Sequence, residues 1–334
     1  MEEIRDRQDN LFFEQIAQDA LSGAYYLHGD EPYTRERAIR QIIGKLEPGL
    51  ADMNLIKLAA PSGADVINAC ETLPFFDARR VVLVTELTAD GAEPLKAYIE
   101  KVPSTTVLLI VLRGKATAQS PLYQLMQKRG RAVEFSPYPA GLAASFVQKR
   151  AAENGIRIER YTALRLVDML GCSLAELEGA LLKAGAYAGE GSVVTEKTLA
   201  ACITPNLEYR VFAMLDCFVA GNKREGLRML QTQLKSGDSA LGIAAFFLGR
   251  AKQMLLAKQL LGQGKPDQAV QKALGGSPYA AKMTLKNARR LTKEQLETAV
   301  VSFAAVDSMQ KQGVMKDQDA LLLAIFKSFP ERAS

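Results

Sequence analysis

Thr105–Leu112 reads TTVLLIVL, eight uncharged residues in which no helical spacing of apolar positions can be drawn. A stretch that is apolar throughout has no face to offer water. It therefore predicts a strand covered on both sides, as at the centre of a parallel sheet. Working outward, strands are expected at Tyr25–His28, Asn54–Leu58, Arg79–Leu87 and Ala132–Phe135. Helices are expected between them: Glu31–Leu46 with Pro32 in its first turn, a helix capped by Ser62, Ala92–Lys101 and Gln119–Lys128. The Ser62 helix carries Val66, Ile67, Cys70 and Leu73 on one side. Strand and helix taking turns predict a parallel sheet flanked by helices.

The pattern changes at SPYPAG, Ser136–Gly141, where Pro137 and Pro139 break regular structure. Beyond it almost no strand is expected. Helices read at Leu142–Glu153, Thr162–Leu170 and Leu174–Tyr187, stopped by Gly155, Gly171 and Gly189. A turn-rich piece, GEGSVVTEKTLAACITPN, runs through Pro205, and helices then follow to residue 329, with breaks at Gly221, Gly237, Gly264 and Gly276. The expected layout is an α/β domain over 1–138, a small helical domain over 139–205 and a larger helical domain over 206–334.

Composition narrows the class. At 334 residues, 48% hydrophobic and 24% charged, the chain has the make-up of a globular protein of two or three domains. Its first ten residues, MEEIRDRQDN, hold no apolar leader core, and its densest apolar run is too short to cross a bilayer. Cys70, Cys172, Cys202 and Cys217 show no metal-binding spacing, which fits a reducing cytoplasm. The net charge of +5 is uneven: residues 206–334 carry +8 and residues 1–205 carry −3. Ten basic residues and one acid, Asp267, fall within Arg250–Lys293. Two readings fit that stretch, a surface for nucleic acid or an acidic partner and a solvated helix face.

An α/β domain followed by a helical one raises the expectation of a nucleotide site. A phosphate loop needs G-x-x-x-x-G-K-[ST] after the first strand, so that backbone amides and a lysine meet the phosphates. Here the first strand runs into HGDEPYTRERA, with Gly29 but no Gly-Lys-Ser/Thr, and with Asp30 and Glu31 where phosphate would lie. Gly114–Lys115 and Gly264–Lys265 occur in the wrong settings and read as turns. His28, the lone histidine, reads as structural, and Asp317 and Asp319 as acids opening a helix. Asp77 reads as a cap or turn acid. No catalytic residue, cofactor site or metal site is expected.

One pattern is left over. In ETLPFFDARRVVLV, Glu71–Val84, Phe75 and Phe76 stand side by side ahead of a buried strand. Adjacent side chains point apart on a strand and by about 100° on a helix, so one flat core cannot easily hold both rings. Taken from the residues alone, one ring packs beneath the strand and the other is exposed.

Five stretches carry a resemblance over essentially the whole chain: YYLHGDEPYTRERAIRQII, NACETLPFFDARRVVLV, LVDMLGCSLAELEGALLKAGAYAG, LEYRVFAMLDCFVAGNKREGLRMLQTQL and ALGGSPYAAKMTLKNARRLTKEQLETAV. In order and spacing they resemble the delta subunit of the bacterial DNA polymerase III clamp loader. The resemblance implies an AAA+-like (RecA/Rossmann-type) first domain with a degenerate nucleotide site, a helical lid and a helical collar. It implies a non-catalytic subunit of the DNA polymerase (nucleotidyltransferase) holoenzyme, without ATPase activity of its own. Such a subunit opens the beta sliding clamp for loading onto primed DNA. The implied partners are that clamp and, in a hetero-pentamer, the gamma/tau ATPase subunits and delta-prime; the implied location is the replisome at the bacterial nucleoid, in the cytoplasm and away from membrane. Carried onto this sequence, the clamp contact falls on Phe75 and Phe76, with Leu73 and Pro74 shaping the approach. The alternative is an AAA+-like protein that binds nucleic acid through Arg250–Lys293.

Overall fold

The computed structural model describes residues 8–275 and 278–329. The chain divides into two compact units, Met1–Tyr138 and Pro139–Ser334. The first seven residues and the break expected at Gly276 lie outside the described residues.

In the first unit the chain forms α1 (Gln8–Ala17), β1 (Gly23–His28), α2 (Pro32–Ile43), a single turn α3 (Ala51–Asn54) and β2 (Leu55–Ala59). There follow α4 (Gly63–Glu71), β3 (Arg80–Thr85), α5 (Ala89–Tyr98), β4 (Thr106–Val111), α6 (Pro121–Lys128) and β5 (Ala132–Glu134). The five strands are all parallel, in the order β2-β3-β4-β1-β5. This is the AAA+-like, RecA/Rossmann-type sheet. β4, the central six residues of TTVLLIVL, lies in the middle and is buried at every residue. Val107, Leu109 and Val111 enter the core on one face with Phe12, Tyr25, Leu27, Ile42 and Phe135. Leu108 and Ile110 enter the other with Val66, Val82, Leu95, Leu122 and Met126. The period-2 alternation of a strand places successive side chains in two separate cores.

Local signals set the helix ends. Glu31 caps α2 by accepting from the Tyr33 N–H at 3.0 Å, and Pro32 takes the first position, where an N–H would have no partner. Ser62 opens α4 in a capping box, its hydroxyl accepting from the Asp65 amide while the Asp65 carboxylate accepts from the Ser62 amide. Three expectations change. Asn54 ends α3 and does not begin β2. Leu73 is not on the buried face of α4, because the helix ends at Glu71 and leaves Leu73 76% exposed. α1 has no counterpart in the expected series, although Phe12 and Ile16 on it are buried in the sheet's core.

The second unit begins with α7 (Ala140–Glu153), β6 (Arg157–Ile158), α8 (Arg160–Leu170), α9 (Leu174–Ala188), β7 (Val193–Val194) and α10 (Glu196–Cys202). β6 and β7 form a two-residue parallel ladder, and α10 with its Thr195 capping box occupies much of the stretch expected to be turns. Seven helices follow: α11 (Leu207–Val219), α12 (Lys223–Lys235), α13 (Ala240–Gly262), α14 (Asp267–Leu274), α15 (Pro278–Arg290), α16 (Lys293–Lys311) and α17 (Asp317–Ser328). The breaks at Gly221, Gly237 and Gly264 fall where expected, and Gly313 adds one between α16 and α17. α13 is long and apolar enough to span a bilayer by length and composition. Its Ile243, Phe247, Ala251 and Met254, however, are the centre of a core shared with Phe218, Leu285, Phe303, Leu321 and Phe329. Every buried member of that core falls between Val211 and Phe329.

Candidate functional site

Residues 72–79 link α4 to β3, so they lie at the end of the parallel sheet where the strands begin. The link starts where it must. The residue before a proline is pushed out of helical geometry, and the chain has already turned extended at Thr72, two residues ahead of Pro74. Tyr98 and Thr106 fasten the helix end, the Tyr98 hydroxyl donating to Glu71 at 2.6 Å and the Thr106 hydroxyl to the Cys70 carbonyl at 2.9 Å. Burial and the Glu71 carboxylate push the Tyr98 phenol above its ordinary range. Burial pushes the Cys70 thiol up to about 12, which leaves it inert.

Past Pro74 both rings stand out in solvent, Phe75 at 46% exposure and Phe76 at 83%. They meet edge to face, centroids 4.7 Å apart and planes at 89°, an arrangement aromatic quadrupoles favour. The expectation of one ring beneath the strand does not hold. The core on that side of β3 is already filled by Val66 and Cys70, clustered with the strand's own Val82 and Val84. With Leu73, three large apolar side chains within four residues face water.

The backbone behind these side chains is tied down. The Phe75 N–H donates to Asn54 Oδ1 at 2.7 Å, and Asn54 Nδ2 donates to the Phe75 carbonyl at 2.9 Å and to the Leu50 carbonyl at 3.3 Å. Asp77 is the turn acid expected: its carboxylate accepts from the Arg79 N–H and, from across the fold, the Glu47 N–H at 2.8 Å. Arg79 pairs with Asp19 at 2.6 Å, and the buried Arg80 donates to the Met53 carbonyl at 3.2 Å. Phe76 has φ +48°, a left-handed conformation unusual for a bulky residue. The sequence offered no sign of Asn54, Glu47 or Met53. They lie 21 to 30 residues from their partners, and no local pattern links such positions.

The opposite end of the sheet holds the stretch tested above for a phosphate loop. Ligands of parallel α/β sheets bind outside the carboxyl ends of the strands, and there the loops after β1 and β4 are bridged directly, the Gly29 N–H donating to the Gly114 carbonyl at 2.7 Å. The Glu31 N–H donates to the Phe135 carbonyl at 3.0 Å, and Arg35 Nη1 to the Gly29 carbonyl at 2.7 Å. Asp30 faces Lys115 at 3.8 Å. Two of the loop amides that could face a phosphate, those of Gly29 and Glu31, are thus spent on the protein's own carbonyls. His28 is buried beside them, its Nδ1 accepting from the Ala116 N–H at 3.4 Å and its ring edge-on to Tyr123. Burial lowers its pKa, against a smaller opposing pull from Glu134. Among the described residues no cluster of three His, Cys, Asp or Glu side chains could hold a metal ion.

The basic stretch is largely committed within the second unit. Arg250 lies against the rings of Phe212 and Phe246, which meet edge to face, and faces Glu208 at 3.6 Å. Lys258 donates to the carbonyls of Ala288 and Leu291 at the end of α15, a favoured place for a cation. Lys286 and Arg290 share Asp216, Arg289 pairs with Asp267, and Lys293 with Glu297. Asp317 and Asp319 open α17, as the sequence suggests.

Comparison with known proteins finds the same family in both units. Residues 25–136 match the family model for the DNA polymerase III delta subunit, and residues 208–328 the model for its C-terminal domain. The two stretches cover more than two thirds of the chain. The DNA polymerase III subunit delta of Bacillus subtilis is 23% identical over 317 residues, spanning 90% of this chain and 91% of that protein. A probable DNA polymerase III subunit delta of Aquifex aeolicus is 24% identical over 169 residues, 49% of this chain and 48% of that one. The solved structure of the Bacillus subtilis DNA clamp loader delta protein shares the fold, with a TM-score of 0.66 at 20% identity over 96% of this chain and 99% of that chain. With the sheet order, the helical remainder and both family models in agreement, the chain belongs to the family of DNA polymerase III delta subunits.

Proposed function

We propose that this chain binds the beta sliding clamp through Leu73, Pro74, Phe75 and Phe76 and helps to open it for loading onto primed DNA. The observation that carries the reading is the exposure of three large apolar side chains on a backbone fixed by hydrogen bonds. An apolar projection held in one shape loses little conformational freedom when it enters a pocket. Burying a Phe ring stabilises a complex by roughly 1.5–3 kcal/mol, less for Phe75, which is already half covered. Opening a ring requires tighter binding to the open state than to the closed one. The contact accordingly favours a clamp surface whose shape changes when the ring interface parts.

In this reading residues 1–138 are the clamp-binding domain, 139–205 a lid and 206–334 a collar. The collar assembles with gamma/tau ATPase subunits and delta-prime in a cytoplasmic hetero-pentamer. The separate core between Val211 and Phe329 supports the second boundary. The chain contributes no ATP hydrolysis, in keeping with the bonded Gly29 and Glu31 amides. Binding nucleic acid through Arg250–Lys293 is the weaker reading, because six of its ten basic side chains already have partners within the unit. The test is titration of this protein against monomeric and dimeric forms of its organism's clamp. Tighter binding to the monomeric clamp supports opening, equal affinities remove that mechanism, and no binding removes the reading.

A further inference from the structure

We infer that Asn54 is a positioning residue for the clamp contact: its side-chain amide grips the Phe75 peptide from both sides and so sets the shape in which Phe75 and Phe76 are presented. The inference rests on the reading of those two rings as the clamp contact.

Asn54 is fully buried, although the residues it serves are exposed. A side-chain amide offers one acceptor atom and two N–H donors, and here all are used. Oδ1 takes the Phe75 N–H, while Nδ2 reaches the Phe75 and Leu50 carbonyls. The pairing copies, from a side chain, the two-way exchange by which one strand residue holds its neighbour. Residue 75 is thereby held as firmly as if it lay in the sheet, while its side chain stays in solvent. The next residue, Phe76, carries the positive φ. Such a conformation persists in a bulky residue only where the surroundings over-determine it, and the Asn54 grip is the constraint immediately before it. Asp77 on Glu47 provides the constraint immediately after. The other large apolar side chain of the link, Leu73, lies outside the grip, so the two rings are the part whose geometry Asn54 controls.

If the free loop without this grip spends only about a tenth of its time in the binding shape, apparent affinity falls by about tenfold, since affinity scales with the population of the competent state. The experiment is a double-mutant cycle on the full chain, reading clamp affinity for wild type, Asn54→Ala, Phe75→Ala/Phe76→Ala and the triple variant, with circular dichroism and melting to establish folding. Asn54→Ala is expected to weaken binding about tenfold in the wild-type background and by less than about twofold once the rings are gone. A purely structural role for Asn54 gives equal losses in both backgrounds, and that result, or no loss in either, overturns the inference. Amide hydrogen exchange on the wild-type protein gives a reading that needs no variant. The Phe75 N–H should be protected well beyond that of Phe76, and equal rapid exchange at both overturns the grip itself. Failure of the wild type to bind, or binding indifferent to loss of both rings, sinks the clamp reading and the inference with it. A lost grip with ring-dependent binding intact sinks the inference alone.

Discussion

The two ends of one parallel sheet are put to opposite uses. At the carboxyl end the loop after β1 folds onto its neighbours: the Gly29 and Glu31 amides, the Gly29 carbonyl and the Asp30 and Glu31 carboxylates meet partners in the chain. At the other end, residues 72–79 are held as firmly through the backbone, yet Leu73, Phe75 and Phe76 are turned out. Rigidity is common to both, and the direction of the side chains separates them. In the reading proposed here, a fixed loop that exposes its apolar side chains serves a protein partner. A fixed loop with its amides consumed has little left for a small anionic ligand.

The strongest test of the closed end is Gly29→Ala. Gly29 has φ +117°, and a Cβ there would lie 2.1 Å from the Phe135 carbonyl oxygen, so backbone must move. A loss of about 3 kcal/mol is expected in denaturant unfolding; a variant as stable as wild type would show the loop to be loosely closed. The open end is tested by Phe75→Ala/Phe76→Ala, which should weaken clamp binding about a hundredfold while changing stability by no more than about 1 kcal/mol. A large drop in melting temperature would instead make the pair part of the core. Arg35→Met removes the charged donor to the buried Gly29 carbonyl, and about 2 kcal/mol of destabilisation is expected by chemical unfolding.

A smaller effect concerns pH. The pKa of His28 is lowered in the folded chain, so below its ordinary value of 6.5 the unfolded chain takes up a proton that the folded chain refuses. Stability is therefore complete above about pH 6.5 and declines as pH falls toward the folded pKa. Protonation would also turn Nδ1, the acceptor for Ala116, into a donor. Melting curves at pH 7.5 and 5.5 should differ more for wild type than for His28→Gln, and equal differences would remove His28 from the account. Finally, millimolar Mg-ATP should leave the melting temperature where it is. An upward shift would mean that the nucleotide binds the folded chain and that the carboxyl end is open after all.

Much of the sheet was legible because its signals are local. TTVLLIVL can be satisfied only between two layers, and Ser62 with Asp65 carries a capping box within four residues. The missing helices had weaker signals. α1 mixes Asp9, Asn10 and Glu14 with its apolar positions, and α10 is seven residues long in a stretch rich in glycine and threonine. The candidate site was half legible: two adjacent phenylalanines after a proline could be singled out, but not which way they faced. Leu73 was assigned to the core because helical spacing from Val66 and Cys70 continues to it, and the proline that interrupts that spacing settled the matter.

The basic stretch shows the same limit. Its charge is plain in the sequence, yet the partners that neutralise most of it, Glu208, Asp216 and the end of α15 among them, come from other helices. By itself, then, the sequence determined where most strands and helices form, that no phosphate loop of the usual kind follows β1, and that Phe75 and Phe76 needed an explanation. Those features depend on hydrophobic periodicity, caps and residue identity within a few positions. Only the tertiary structure decided that both rings face solvent, that Asn54 bonds both the N–H and the carbonyl of Phe75, and that the Gly29 and Glu31 amides are taken. These outcomes turn on hydrogen bonds and packing between residues tens of positions apart, which no local pattern encodes.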